Sequence, residues 1–190
     1  MGDDNAGYRD NIALIGFMGA GKSAVGLLLS RKLGMDCIDL DEVIEDAAGE
    51  SVREIFAHEG EKGFRERESD ALRNVVDEGK GLVLSCGGGI VLGDENIALL
   101  RGRCRVFFLR ISAARAVERL AGAADRPLLE GGDLEERVRG LMEERAHRYL
   151  LAAHEVIDAD EKSPQEIAED IAERWSKSKS GRQARNIPFS

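Results

Sequence analysis

Gly16-Phe17-Met18-Gly19-Ala20-Gly21-Lys22-Ser23 stands directly after the apolar run Ile12-Ala13-Leu14-Ile15 and before a helical stretch that ends at Leu33. The octet fits GxxxxGK[ST], in which glycines let a strand turn back sharply into a helix with no Cβ in the way. Successive backbone N–H groups can then point inward at a polyphosphate seated on the helix N-terminus. On this reading Gly19, Ala20, Gly21, Lys22, Ser23 and Ala24 are the candidate nucleotide contacts. Lys22 brings a mobile positive charge to the β- and γ-phosphates, and the Ser23 hydroxyl is a candidate ligand for Mg2+. A bare glycine turn that happens to end in Lys-Ser is the alternative; its place between a strand and a helix weighs against it.

Outward from the loop, short apolar runs alternate with amphipathic stretches, the pattern of an α/β fold with a parallel sheet covered by helices on both faces. Strands are expected at Ile12 to Ile15, Cys37 to Leu40, Leu82 to Cys86, Val106 to Arg110 and Val156 to Asp158. Helices are expected at Lys22 to Leu33, Ser51 to His58, Lys62 to Asp77, Glu95 to Arg101, Ala113 to Leu120, Leu134 to Ala153 and Pro164 to Trp175. Ser51 with Glu54, Ser112, and Ser163-Pro164 with Glu166 read as helix starts. One domain over residues 11–175 follows, with a lid at about 122–132, a disordered extension at 1–10 and a disordered basic tail at 176–190.

At 190 residues, with 43% hydrophobic and 33% charged, the composition is that of a soluble globular protein able to bury a core unaided. No apolar run reaches membrane-spanning length, and the start Met1-Gly2-Asp3-Asp4-Asn5 does not read as a secretory signal, so a cytoplasmic location is expected. Cys37, Cys86 and Cys104 are odd in number and scattered, against a disulfide framework or zinc site. Cys37 and Cys86 read as packed strand residues, and Cys104, between two arginines, as the more reactive thiol. The net charge of −9 repels phosphate backbones, which excludes nucleic acid as the main partner. An anionic nucleotide must then be attracted locally, by cations focused in one cleft.

Ligands of such sheets bind beyond the carboxyl ends of the strands. That rule selects the glycine loop, Asp39-Leu40-Asp41, Gly87-Gly88-Gly89 and the stretch after Arg110. Asp39 and Asp41 can divide the work, one holding the water shell of Mg2+ and the other accepting a proton from an attacking hydroxyl. The plainer alternative is that Asp41 caps the helix that follows. Three consecutive glycines at 87–89 imply close approach by backbone, either a tight turn or N–H groups meeting a ligand. Arg65 and Arg145 sit among opposite charges at helical spacing, which by itself reads as solvated helix surface. Arg126, before Pro127 in the long Gly/Ala-rich segment, suits a mobile cation that closes over a transferring phosphoryl group.

Taken together the residues resemble the shikimate kinase family over almost all of Asn11 to Trp175. GFMGAGKS, DLDEVIE at Asp39 to Glu45, GFRERE at Gly63 to Glu68, the triple glycine, RPLL at Arg126 to Leu129 and ERAHRY at Glu144 to Tyr149 occur in that family's order. The resemblance implies a P-loop kinase fold with a five-stranded parallel sheet. It also implies transfer of the ATP γ-phosphoryl to the 3-hydroxyl of shikimate, in the pathway to chorismate and aromatic amino acids. It makes Asp41, Lys22 and Arg126 the catalytic set. Arg65, Arg145 and Gly87 to Gly89 become the substrate site, with Glu68 steadying Arg65. Ser23 and, through water, Asp39 become the Mg2+ site, and Arg119 and Pro164 the adenine contacts. A monomer is implied as well. Three rivals remain: a GTP-type switch, with Asp46-Ala47-Ala48-Gly49 matching DxxG but placed after a helix and with no NKxD; a kinase for another hydroxy acid such as gluconate; and a purely structural ATP-binding module, which would leave Asp41 beside the loop unexplained.

Overall fold

β1 (Asn11–Ile15) is buried along its whole length, and its alternate side chains divide between two cores. Ile12 and Leu14 join one cluster with Val25, Leu29, Phe107, Ile171 and Trp175, while Ala13 and Ile15 join another with Leu40, Leu72, Phe108 and Tyr149. A strand wedged between two apolar layers must be apolar on both faces, which is why it reads as a continuous run rather than an alternation. The computed structural model describes residues 10–121 and 133–183.

The chain then runs α1 (Lys22–Leu33), β2 (Asp36–Asp39), α2 (Leu40–Ala48), α3 (Val52–Glu78), β3 (Leu82–Ser85), a 3-10 turn (Ile90–Leu92), α4 (Asp94–Arg103), β4 (Cys104–Arg110), α5 (Ala113–Leu120), α6 (Leu134–Ala152), β5 (Glu155–Asp158) and α7 (Pro164–Gln183). The five strands are parallel in the order β2-β3-β1-β4-β5. Residues of α1, α5 and α7 cover one face and residues of α2, α3 and α4 the other, while α6 joins the first cluster through Val138 and the second through Tyr149 and Ala152. Because the chain leaves β1 for one side of it and later crosses to the other, the carboxyl end of β1 is the switch point, and the glycine loop sits there. At the opposite end the buried Asn11 amide donates to Gly79 O and accepts from Leu82 N–H, both at 3.1 Å, and so ties β1 to the entry of β3.

Differences from the sequence expectation have local causes. The two helices expected over 51–77 are both present and follow one another as the two arms of α3, broken between them at Gly60 (φ 69°, ψ −178°), a conformation open to a residue without Cβ. The expected caps are present: Ser51 and Glu54 form a capping box, Ser112 accepts from Arg115 N–H, and Ser163 and Glu166 exchange hydrogen bonds. β2 stops at Asp39, whose carboxylate accepts from Asp41 N–H, so Asp39 rather than Asp41 caps α2. The tail expected to be disordered from residue 176 is helical as far as Gln183, since α7 continues past Trp175. The thiols are reversed as well: Cys104 is buried and Cys37 exposed. The 1–9 extension and the lid at 122–132, with Arg126, lie outside the described residues.

Candidate active site

Three glycines of the loop carry positive φ: Gly16 at 150°, Gly19 at 80° and Gly21 at 87°. Gly16 also passes so close to β4 that a Cβ would lie 2.6 Å from the Leu109 carbonyl oxygen, so both the turn and the packing require glycine. Gly21 is the left-handed N-cap of α1, which leaves the helix N-terminus open toward the loop. The Lys22 ammonium donates to the carbonyls of Gly16 (2.9 Å) and Phe17 (3.1 Å), which tethers its charge over the loop. Ala20 N–H closes a turn on Phe17 O at 3.1 Å, so this member of the expected donor set is satisfied internally here. Arg119, from α5, reaches back to Gly19 O at 2.9 Å.

Beside the loop, Ser23 Oγ donates to Asp39 Oδ2 at 2.6 Å and lies 3.2 Å from Ser85 Oγ. These are hard oxygen donors at the phosphate end of the crevice, the set Mg2+ takes when waters and phosphate oxygens complete its octahedron. Among the described residues no cluster of His, Cys, Asp and Glu could cage a metal without that help. Ser85 and Cys86, at the carboxyl end of β3, escaped the sequence reading; the only signal was a serine closing an otherwise apolar strand.

A cleft of about 210 Å³ runs from Gly19, Gly21, Lys22, Ser23 and Ala24 past Asp39 and Asp41 to Ser85, Cys86, Gly87 and Gly88. Thus the candidate phosphate cradle and Asp41 share one space. A larger hollow of about 650 Å³, between Leu33, Lys80 and Trp175, lies at the other end of the sheet, by the amino end of β1. Two of the three consecutive glycines, Gly87 and Gly89, are crowded by side chains. A Cβ on Gly87 would come within 2.5 Å of Glu68 Oε1 and 3.0 Å of Asp41 Oδ1, and one on Gly89 within 2.3 Å of the Arg65 guanidinium.

Behind these glycines lies a buried ionic group. Glu68 is 0% exposed and Arg145 2%. Arg65 Nη1 donates to Glu68 Oε2 at 2.8 Å, the contact that the resemblance implies. Burial would lower the pKa of Arg65, but Glu68 and Glu61 outweigh it and raise the value, so the guanidinium stays charged. Burial also pushes the Glu68 carboxyl above the usual glutamate range, against the pull of Arg65. Contact with a guanidinium that does not give up its proton nevertheless favours an ionised Glu68. Arg145 Nη1 makes a long contact to Gly88 O at 3.4 Å, while its Nε and Glu68 Oε1 are buried with no hydrogen-bond partner. A buried, unpartnered N–H costs about 1–3 kcal/mol, and such groups are commonly held for a ligand. Tyr149, one turn on from Arg145 in α6, donates from its hydroxyl to Gly88 O at 2.5 Å and stacks on Phe108 at 4.9 Å. Burial raises its pKa far above that of free tyrosine, so it remains a donor. Its apolar ring makes it look like a core residue, and only the fold places its hydroxyl on the glycine turn. Pro164 begins α7 and is exposed, as is Arg119.

The family profile described as shikimate kinase matches residues 18–176. A shikimate kinase of Thermodesulfovibrio yellowstonii is 41% identical over 172 residues, 90% of this chain and 98% of that one. Another, from a Marinomonas species, is 42% identical over 162 residues, 85% of this chain and 89% of its own. Among solved structures, the shikimate kinase of Acinetobacter baumannii in complex with shikimate superposes with a TM-score of 0.86 at 34% identity, covering 89% of this chain and 94% of that one. No helix among the described residues is long and apolar enough to cross a membrane. Matched by one profile over most of its length and by relatives about 40% identical across nearly all of their own, the chain belongs to the shikimate kinase family.

Proposed function

We propose that the protein phosphorylates the 3-hydroxyl of shikimate with ATP, giving shikimate 3-phosphate and ADP on the route to chorismate. The observation that carries this is the single crevice in which the glycine loop and Asp41 face one another, backed by the buried Arg145 and the partly buried Arg65. Membership of the family supports the reaction and the roles that follow, and the geometry adds support for those of the loop, Lys22, Ser23, Asp41, Arg65 and Arg145. The loop N–H groups and Lys22 hold the phosphates, with Arg119 and Pro164 beside the adenine. Arg65 and Arg145 grip the acid's carboxylate, which fixes its orientation as well as its charge. Gly87, Gly88 and Gly89 line the pocket and let Asp41 stand close to the hydroxyl. Asp41 aligns that hydroxyl and accepts its proton as the oxygen bonds to the γ-phosphorus and the bond to the ADP oxygen breaks. Mg2+, held by Ser23 and through water by Asp39, would supply positive charge to the phosphate oxygens. Arg126 would close over the transferring group and exclude water. The same reading takes the enzyme as a cytoplasmic monomer.

A coupled assay of ADP release tests it. With Mg-ATP, shikimate should drive turnover far above quinate, gluconate or water, and equal rates with gluconate would reject the substrate. Asp41→Asn should lower kcat about a hundredfold or more and leave the KM for ATP within about threefold.

A further inference from the structure

Arg65 is enclosed by groups of its own chain. Its Nη1 is on Glu68, Gly89 lies against the guanidinium plane, and the Phe64 ring centroid is 5.2 Å from Cζ. One edge remains, the Nε–Nη2 side on which a carboxylate can dock with two parallel hydrogen bonds. That edge is taken by Glu61: a single oxygen, Oε1, accepts from Nη2 at 3.1 Å and from Nε at 3.4 Å. The two carboxylates on Arg65 are unlike in their surroundings. Glu68 is sealed in, whereas the Glu61 side chain is 46% exposed and lies next to Gly60, where α3 breaks its helical path.

We infer that Glu61 is a displaceable internal stand-in for the substrate carboxylate. It covers the docking edge of Arg65 while the acid is absent and yields it when the acid binds. This rests on the role of Arg65 given above. A ligand carboxylate that offers both oxygens improves on one oxygen shared between two donors, and Glu61 returns to water at small cost because it is already half exposed. A ligand with no negative charge cannot compensate Arg65 and does not complete the exchange. Glu61 therefore weakens apparent affinity for the acid and favours carboxylates over neutral analogues. Glu66, on the same helix, is 68% exposed and pairs loosely with Lys62 at 3.8 Å, so it carries equal charge without touching Arg65.

The test measures kcat and KM for shikimate, and calorimetric Kd for shikimate, on the full chain and on Glu61→Gln, Glu61→Ala and Glu66→Gln. Removing an exposed ion pair of this kind should lower KM and Kd about two- to fivefold in both Glu61 variants, with kcat within about twofold and Glu66→Gln unchanged. An unchanged or raised KM in the Glu61 variants would overturn the inference, since Glu61 would then brace Arg65 rather than compete for it. An equal fall in Glu66→Gln would overturn it too, by pointing to net charge alone. A wild type that turns over shikimate while the Glu61 variants show no gain removes only this inference. A wild type that neither binds nor phosphorylates shikimate removes the functional reading and this one with it.

Discussion

Arg145 and Arg139 sit on the same helix in similar sequence, and only burial tells them apart. Arg139 pairs with Glu135 and its side chain is 60% exposed, whereas Arg145 is 2% exposed with an unpartnered Nε. α6 is charged around much of its circumference, so no periodicity marks the position that turns inward, and the residues alone favour the solvated reading for both. Family resemblance reverses that for Arg145 and Arg65, of which Arg145 alone is fully buried. Arg145→Ala should therefore raise the KM for shikimate about 10- to 100-fold, the worth of a charge-assisted contact to a carboxylate, with the KM for ATP little changed. Arg139→Ala should leave both within about twofold. Steady-state kinetics on the two variants decide the matter, and equal effects would count against the assignment.

Elements were legible wherever one local rule governs them. All five strands, the phosphate loop and the serine caps follow from apolar runs and capping chemistry, and the observed strands lie within a residue or two of the expected bounds. Where two short-range rules meet in one residue the bounds shift: Asp39 ends β2 and caps α2 at once, so the strand stops before Leu40. The triple glycine was legible as a place of close approach, but what approaches it was not, because Glu68, Asp41 and Arg65 arrive from other parts of the chain. Gly89 has φ −102°, which alanine tolerates, so only the neighbouring guanidinium opposes a side chain there. Gly89→Ala should fold normally and lose little thermal stability, since Arg65 can swing aside, yet raise the KM for shikimate about tenfold or more through the displaced cation. A large loss of Tm with unchanged KM would show the glycine to be structural instead.

For the whole molecule, alternation of strands and helices announces a parallel sheet but does not order it; the arrangement β2-β3-β1-β4-β5 emerges only from pairing between distant segments. The same distance hides the ionic frame that joins β4, β5 and α7. Arg105 holds Glu155 at 2.6 Å, and Arg174 spans from Glu155 at 3.3 Å to Asp170 at 2.6 Å. Lys162 adds a second contact to Asp170 at 2.7 Å, and Arg110 pairs with Asp158 at 2.8 Å. The hydrogen bond from Arg110 holds Asp158 below the ordinary aspartate pKa. Burial would raise Asp170, but Arg174 and Lys162 together carry it below the ordinary value. A carboxylate whose folded pKa lies below its unfolded one stabilises the fold fully above the unfolded value, and that contribution fades as pH falls through the folded value. Glu68 works in the opposite sense: raised by burial, its contribution is complete below the ordinary glutamate pKa and is lost as pH rises through the folded value. Asp158 and Asp170 therefore contribute to the acid limb, below about pH 4, alongside the exposed Glu54, Glu59 and Glu166, which are lowered as well. Urea midpoints measured from neutral to acid pH should put Asp170→Asn below the wild type at neutral pH, with the gap closing as the solution is acidified past that point. A gap that stays constant across the series would show that Asp170 acts through packing, with no part in the proton linkage.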